Sequence, residues 1–213
     1  MRYRLVVFDL DGTLVDTVEV HAESWAYAFA ELGLGRVNPR ELVRLIGLPG
    51  DSIVREVLGE EALRYYDRIR WLKDRYFLRR VAEGSVRLYR DVPEALEYLR
   101  SRGYLVGLAT STPNYILIPL LEHLGILEAF DVIVGGDEVL RGKPDPEIFL
   151  RVAVKASVEP QEAVVVGDTE YDSAAARSAG MLSVLVDREG RGNPLNTSAD
   201  FVIRSLTDLS LLL

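Results

Sequence analysis

Apolar residues follow two different rhythms along this chain. The first is a short unbroken run, Leu5-Val6-Val7-Phe8, which stops at Asp9-Leu10-Asp11-Gly12-Thr13. An apolar run of that length, closed by turn residues, predicts a strand covered on both faces. From residue 16 to 81 the spacing changes to three and four. Val18, Ala22, Trp25, Ala26, Phe29 and Leu32 form one helical stripe that ends at Gly33. Asn38 as cap and Pro39 in the first turn open a second helix reaching about Ile46. A third runs from Asp51 or Ser52 to Leu58, and a fourth from Glu61 to Ala82, before Gly84-Ser85 breaks the pattern. Beyond it the two rhythms alternate. Helices are expected over 92–100, 116–124, 146–156 and 171–179, and strands over 105–109, 131–134, 163–166, 182–186 and 201–203. A helix over 206–212 closes the chain, and 188–198 reads as a polar loop. Such alternation predicts a doubly wound α/β core with a parallel sheet. The expected units are that core, over 1–15 and 82–213, and an all-helical insert over 16–81.

Composition narrows what such a fold can serve. In 213 residues, 48% hydrophobic and 27% charged residues describe a folded globular chain rather than a disordered one. The net charge of −8 argues against nucleic acid or an anionic membrane as the main partner. No apolar stretch nears the ~20 residues of a membrane span, and the first apolar run ends in acids rather than a leader-type cleavage site. A cytoplasmic protein is expected. Without cysteine there is no disulfide, thiolate metal site or thiol nucleophile. Only three of the 25 basic residues are lysines, Lys73, Lys143 and Lys155. Where a chain nearly always uses Arg, a loop Lys points to a need for a compact charge.

In open α/β sheets, ligands sit beyond the carboxyl ends of the strands. The first strand ends in Asp9 and Asp11, whose two-residue spacing would point both carboxylates the same way. Held together, they imply a cation, a shared proton or both. The second strand ends in Thr110-Ser111-Thr112, the third leads to Lys143, and the fourth to Gly167-Asp168 with Asp172 one helical turn on. Thr110 to Thr112 also fits a helix cap before Pro113, and Asp168 with Asp172 a cap and first-turn acid. It is their convergence on one sheet edge that favours chemistry.

These four segments, in this order, resemble the four motifs of the haloacid dehalogenase superfamily, and the resemblance covers essentially the whole chain. A helical insert directly after the first motif is similar to its helical-cap members, the phosphoglycolate phosphatases and β-phosphoglucomutases. The resemblance implies Asp9 as nucleophile, Asp11 as acid and base, Thr110 and Lys143 as catalytic partners, and Mg²⁺ on Asp9, Asp168 and the Asp11 main-chain carbonyl. Asp172 would hold metal waters or orient Lys143. Gly12, Thr13, Ser111, Thr112, His21 and Lys73 are candidate substrate contacts. Arg44, Arg55, Arg79 and Arg80 are further cap candidates for a substrate anion, and Trp25 and Trp71 are expected to pack within the cap. His123 is read as structural.

An acid at position 11 favours phosphate-ester chemistry. Asp16 to Trp25 is similar to the mutases, but Gly50 stands where they carry a cap arginine, and Gly167 where they tend to carry an acid. The expected function is therefore a Mg²⁺-dependent phosphatase of small phosphorylated metabolites, acting as monomer or homodimer through an aspartyl-phosphate. A phosphomutase and a non-catalytic binding protein of the same fold are the alternatives. The crossings at Thr13–Thr17 and Ala82–Ser85 would be the hinges.

Overall fold

The computed structural model describes residues 3–188 and 197–213. Six strands, β1 (Leu5–Phe8), β2 (Leu105–Ala109), β3 (Val132–Val134), β4 (Ala163–Gly167), β5 (Leu182–Val186) and β6 (Phe201–Ile203), pair in parallel. Their order is β3-β2-β1-β4-β5-β6. The chain builds outward from β1 to β3, then returns to the other side of β1 with β4. That reversal opens a crevice beyond the carboxyl ends of β1 and β4. All four β1 residues are fully buried. Leu5 and Val7 pack in one layer with Phe149, Val152 and Val165, while Val6 and Phe8 pack in the other with Val106, Leu108 and Val166. Burial on both faces is why the run is continuous rather than alternating.

Between β1 and β2 lies the insert, with α1 (Val18–Glu31), α2 (Pro39–Leu42), α3 (Gly50–Leu58) and α4 (Tyr66–Ala82). It has its own apolar cluster, including Trp25, Phe29, Leu42, Leu45, Ile53 and Ile69. Val20, Phe77 and Val81 at its base join the core instead, beside Leu14 and Val15. The outgoing and returning chains are tied together: Asp16 N donates to Arg87 O (2.9 Å) and Tyr89 N to Leu14 O (3.1 Å). Gly84 supplies the positive φ of +76° at the return. After β1 and the insert, α5 (Val92–Ser101) and α6 (Asn114–His123) cover one face of the sheet. α7 (Glu147–Ala156) and α8 (Glu170–Ser178) cover the other. The fold is the expected doubly wound core with an inserted helical cap. Among the described residues, no helix is long and apolar enough to cross a membrane.

Three expected helices differ. The one begun by Asn38, whose side chain accepts from Arg40 N, is α-helical only to Leu42 and tightens to a 3₁₀ turn over Val43–Leu45. Gly47 at φ +107° and Pro49 behind it leave no room for further turns. The fourth begins as a 3₁₀ segment, Glu60–Tyr65, after Gly59 at φ +85°, and becomes α-helical only at Tyr66. The terminal helix is 3₁₀ over Leu206–Leu211. Of the polar loop expected over 188–198, residues 189–196 lie outside the described residues.

One acidic residue binds distant segments together. Asp91, preceding α5, accepts both its oxygens' bonds from Arg188 Nη1 (3.0 and 2.8 Å), and further bonds from Ser205 Oγ (3.0 Å) and Leu206 N (2.8 Å). Arg188 Nη2 continues to Thr13 O at 2.7 Å, in the loop after β1. Burial pushes the Asp91 carboxyl up, but these donors outweigh it and hold it below its ordinary value. A carboxyl depressed by folding stabilises above its unfolded pKa, and that stabilisation is lost as pH falls through the folded one. Asp91→Ala should therefore cost about 1–3 kcal/mol at pH 7 through the orphaned donors. Urea unfolding at neutral and acid pH checks this, since the deficit should shrink as wild-type Asp91 protonates.

Candidate active site

β1 ends at Phe8, so Asp9 and Asp11 leave the strand and do not share a strand face as the two-residue spacing had suggested. Each enters a different set of bonds. Asp9 N extends the ladder to Val166 O (2.9 Å), and Asp9 Oδ1 accepts from Lys143 Nζ at 2.5 Å. Lys143, 1% exposed, also donates to Ala109 O at the end of β2 (3.1 Å) and lies 2.6 Å from Asp172 Oδ1. Its ammonium thus joins the ends of β1 and β2 to the first turn of α8. Burial alone would lower the lysine's pKa, but Asp172 and Asp9 outweigh it and keep it charged. Asp172 Oδ2 accepts from Thr169 N (3.2 Å), so the same residue completes the α8 cap.

The cluster holds more negative than positive charge. Carboxylate oxygens of Asp9, Asp168 and Asp172 lie within 4.8 Å of one another. Burial pushes Asp9 well above the ordinary carboxyl range; Lys143 pulls it back, and Asp172, Asp168 and Asp11 raise it further. Burial and Asp172 push Asp168 up to about 7, against the bond from Thr13 Oγ1 (3.1 Å) and the Lys143 charge. Asp172 Oδ1 is buried, with the Lys143 ammonium as its neighbour. An all-oxygen donor set with surplus negative charge fits a hard divalent cation.

Asp11 is held quite differently. Its Oδ1 accepts from Thr17 Oγ1 (2.6 Å) and lies 3.0 Å from His21 Nε2, while its Oδ2 accepts from Thr112 Oγ1 (3.0 Å) and Thr110 Oγ1 (3.3 Å). Burial raises its pKa, but His21 and these hydroxyls outweigh it and hold Asp11 far below the usual carboxyl range. His21 is itself lowered, first by burial and then by the Lys73 charge. Its ring stacks on Phe77 of α4 at 4.1 Å between centroids.

A cavity of about 210 Å³ lies between core and insert, lined by Asp9, Asp11, Thr110, Ser111 and Thr112 on one side and His21, Trp25, Tyr66, Arg70 and Lys73 on the other. Of the expected substrate contacts, His21, Lys73, Ser111 and Thr112 face it. Ser111 Oγ is engaged with Gly47 O of the insert (2.8 Å). Gly12 and Thr13 serve the loop instead. Gly12 N donates to Val15 O (2.8 Å) and Thr13 Oγ1 to Asp168, and neither residue lines the cavity. Gly12 has φ +90°, and a Cβ there would overlap the Asp168 carboxylate. The candidate arginines fall outside: Arg44, Arg55, Arg79 and Arg80 pair with Glu56, Glu60, Glu83 and Glu23. Arg70, which the spacing of charges had not singled out, does line it. Trp25 packs within the insert as expected. Trp71 does not: it is 56% exposed, with Arg75 over its ring, because it lies on the side of α4 away from the insert's apolar cluster. His123 is exposed at the end of α6. Gly167 has no room for a side chain, since a Cβ would overlap Asp172.

The pattern of the haloacid dehalogenase-like hydrolases matches residues 6–186. The chain is 33% identical to the phosphoglycolate phosphatase of Escherichia coli (strain K12), covering 97% of this chain and 90% of that one. Among solved structures, a HAD phosphatase from Thermococcus onnurineus is similar at 29% identity and TM-score 0.72, covering 98% of this chain and 97% of that one. The β-phosphoglucomutase of Clostridium difficile is similar at 25% identity and TM-score 0.84, covering 97% and 93%.

The close approach at Gly12 yields a direct test. Gly12→Ala should displace Asp168 and lower divalent-cation affinity at least about tenfold, as loss of ligand support typically does. Calorimetric titration with Mg²⁺ or Mn²⁺ reads this, with circular dichroism to confirm the fold.

Proposed function

The chain belongs to the haloacid dehalogenase-like hydrolases, and on that premise we propose that it is a phosphatase of small phosphate monoesters, phosphoglycolate or a close analogue. The observation that carries the reading is the division of labour between two nearby carboxylates. Asp9 sits against Lys143 at the sheet edge, and Asp11 sits among hydroxyls and His21. Asp9 is placed to attack phosphorus, forming an acyl-phosphate as the ester P–O bond breaks. Lys143 stays protonated and neutralises charge gathering on the transferring oxygens, with Thr110 and its neighbouring backbone N–H groups as donors.

Asp11 is suited to proton transfer at the leaving oxygen. As a carboxylate it is ready to deprotonate the water that hydrolyses the acyl-phosphate. To act as the acid in the first step it must gain a proton, and two changes favour that. An incoming dianionic phosphate raises its pKa by like-charge repulsion, and rotation away from Thr17 and His21 removes donors that depress it. Mg²⁺ suits the site, with Asp9 and Asp168 to hold it, the Asp11 main-chain carbonyl by family resemblance, and Asp172 behind them. When bound, it would supply positive charge for the phosphate oxygens.

Helices α1–α4 act in this reading as a cap, over about residues 16–81, that excludes water while the acyl-phosphate forms. The crossings at Thr13–Thr17 and Ala82–Ser85 are the hinges. A phosphomutase is less favoured, because Tyr66 and Trp25 occupy the space beside Gly50 and Asp172 the space beside Gly167.

Phosphate release from a panel of monoesters tests the assignment. Asp9→Asn should lower kcat by at least about 10⁴, since an amide cannot form the acyl-phosphate. Asp11→Asn should lower it by roughly 10²–10⁴. Chelation by EDTA should abolish turnover and added Mg²⁺ restore it. Turnover that survives Asp9→Asn would sink the nucleophile assignment.

A further inference from the structure

We propose that Arg70 is the specificity-determining residue of this site, receiving the carboxylate of a short phosphorylated acid at the end of the cavity away from Asp9. The inference rests on the phosphatase reading above and assigns a role to a residue which that reading does not use.

Among the described residues, Arg70 is the one arginine lining the cavity. The other insert arginines near a carboxylate are held in surface ion pairs. Arg55 Nε, for instance, lies 2.6 Å from Glu60 Oε2. Arg70 also stands at ion-pair distance from an acid, but from one that two other groups already engage. Its Nε donates to Tyr115 Oη at 3.0 Å and its guanidinium lies 5.4 Å from the centre of the Tyr115 ring. The nearest carboxylate oxygen, Asp74 Oδ2, is 3.9 Å away and accepts a hydrogen bond from Tyr115 Oη instead. Asp74 Oδ1 is taken by Lys73 Nζ at 3.2 Å. Asp51, the other acid on the insert side of the cavity, faces Arg55 at 3.4 Å. Two cations therefore share one committed carboxylate, leaving one positive charge for a ligand. A neutral alcohol group would leave that charge unmatched, whereas a carboxylate meets the guanidinium fork with two hydrogen bonds.

The walls set the length. A Cβ on Gly50 would lie 2.6 Å from Tyr66 Oη and 3.1 Å from Trp25, so these rings close the cavity over α3. At about 210 Å³ the space is below the roughly 300–1,000 Å³ of sites for drug-sized ligands. Tyr115 lies three residues beyond Thr112, so the group that aims Arg70 is carried by the same core segment that surrounds Asp11. The span between the phosphate end and the anion end is thereby set by the core as well as the insert.

The test compares two esters of equal length, 2-phosphoglycolate and 2-hydroxyethyl phosphate, which differ in a carboxylate against a neutral hydroxymethyl group. The reading is the ratio of their kcat/KM values with Mg²⁺ present. The wild-type protein should favour the carboxylate ester. Arg70→Gln should reduce the ratio by roughly 30-fold, the worth of a charge-assisted pair, chiefly through KM for 2-phosphoglycolate. Tyr115→Phe, which removes one hydroxyl and is the fallback should Arg70→Gln fold poorly, should reduce it roughly threefold. Arg75→Gln, on the same helix but stacked on Trp71 outside the cavity, should leave the ratio at the wild-type value. A wild-type protein that turns over both esters, with the ratio unchanged in Arg70→Gln and Tyr115→Phe, overturns the role of Arg70 and leaves the phosphatase reading standing. A wild-type protein that turns over neither these esters nor p-nitrophenyl phosphate overturns both.

Discussion

The buried ammonium of Lys143 is the contact on which the sheet edge depends. Three carboxylates, contributed by the loop after β1, the end of β4 and the first turn of α8, converge there, with Asp9 and Asp172 buried and Asp168 partly so. One lysine from the loop before α7 stands among them, bonded to Asp9 and to the last carbonyl of β2. Burying ions costs several kcal/mol apiece, so an apolar edge would hold the fold at least as well. The cluster persists at a position where open α/β sheets bind ligands, and its surplus negative charge calls for a further cation. Strand order and the reversal between β1 and β4 bring these groups within reach of one another.

Asp11 escapes that crowding by two residues. Leaving the strand at Phe8 turns its carboxylate toward Thr17, His21 and Thr112, where donors surround it rather than acids. The two aspartates therefore carry opposite pressures: Asp9 is pushed toward protonation and Asp11 toward ionisation. On the proposed reading Asp9 must be ionised to attack, and a divalent cation beside Asp9 and Asp168 would supply the positive charge that lowers its pKa.

Much of this was legible in the chain because local signals and tertiary demands agree. A run such as Leu5-Val6-Val7-Phe8 has no polar residue to place, so only a strand buried on both faces suits it. Asn38-Pro39 carries its own cap chemistry, although Gly47 and Pro49 then cut the helix short. Spacing failed where a residue's role depends on a distant partner. The two-residue rule misplaced Asp11 relative to Asp9 because it assumes that the strand continues. Arg70 was hidden among the many arginines of α4, since what distinguishes it is Tyr115, on a helix of the core. A helical-wheel signal was nonetheless present: Tyr66, Arg70, Lys73 and Phe77 recur at spacings of four, three and four, along one face. Trp71 falls between them and faces solvent.

On the proposed reading, that face of α4 lies between substrate choice and proton chemistry. Phe77 carries the His21 ring, and Lys73, one turn earlier, lies 5.2 Å from the centre of the Phe77 ring. Lys73 lowers the pKa of His21, and His21 in turn holds Asp11 ionised. Arg70, the next turn out, is bonded to a tyrosine on the core. A shift of α4 relative to the core would therefore change the bonds at Arg70 and, through Phe77, the surface on which the His21 ring of α1 rests. On the proposed reading, a substrate held by Arg70 therefore bears on the same helix that supports the His21 ring beside Asp11. The acid/base is then held jointly, by Thr17 and His21 of the insert and by Thr110 and Thr112 of the core, whereas the nucleophile is fixed to Lys143 within the core.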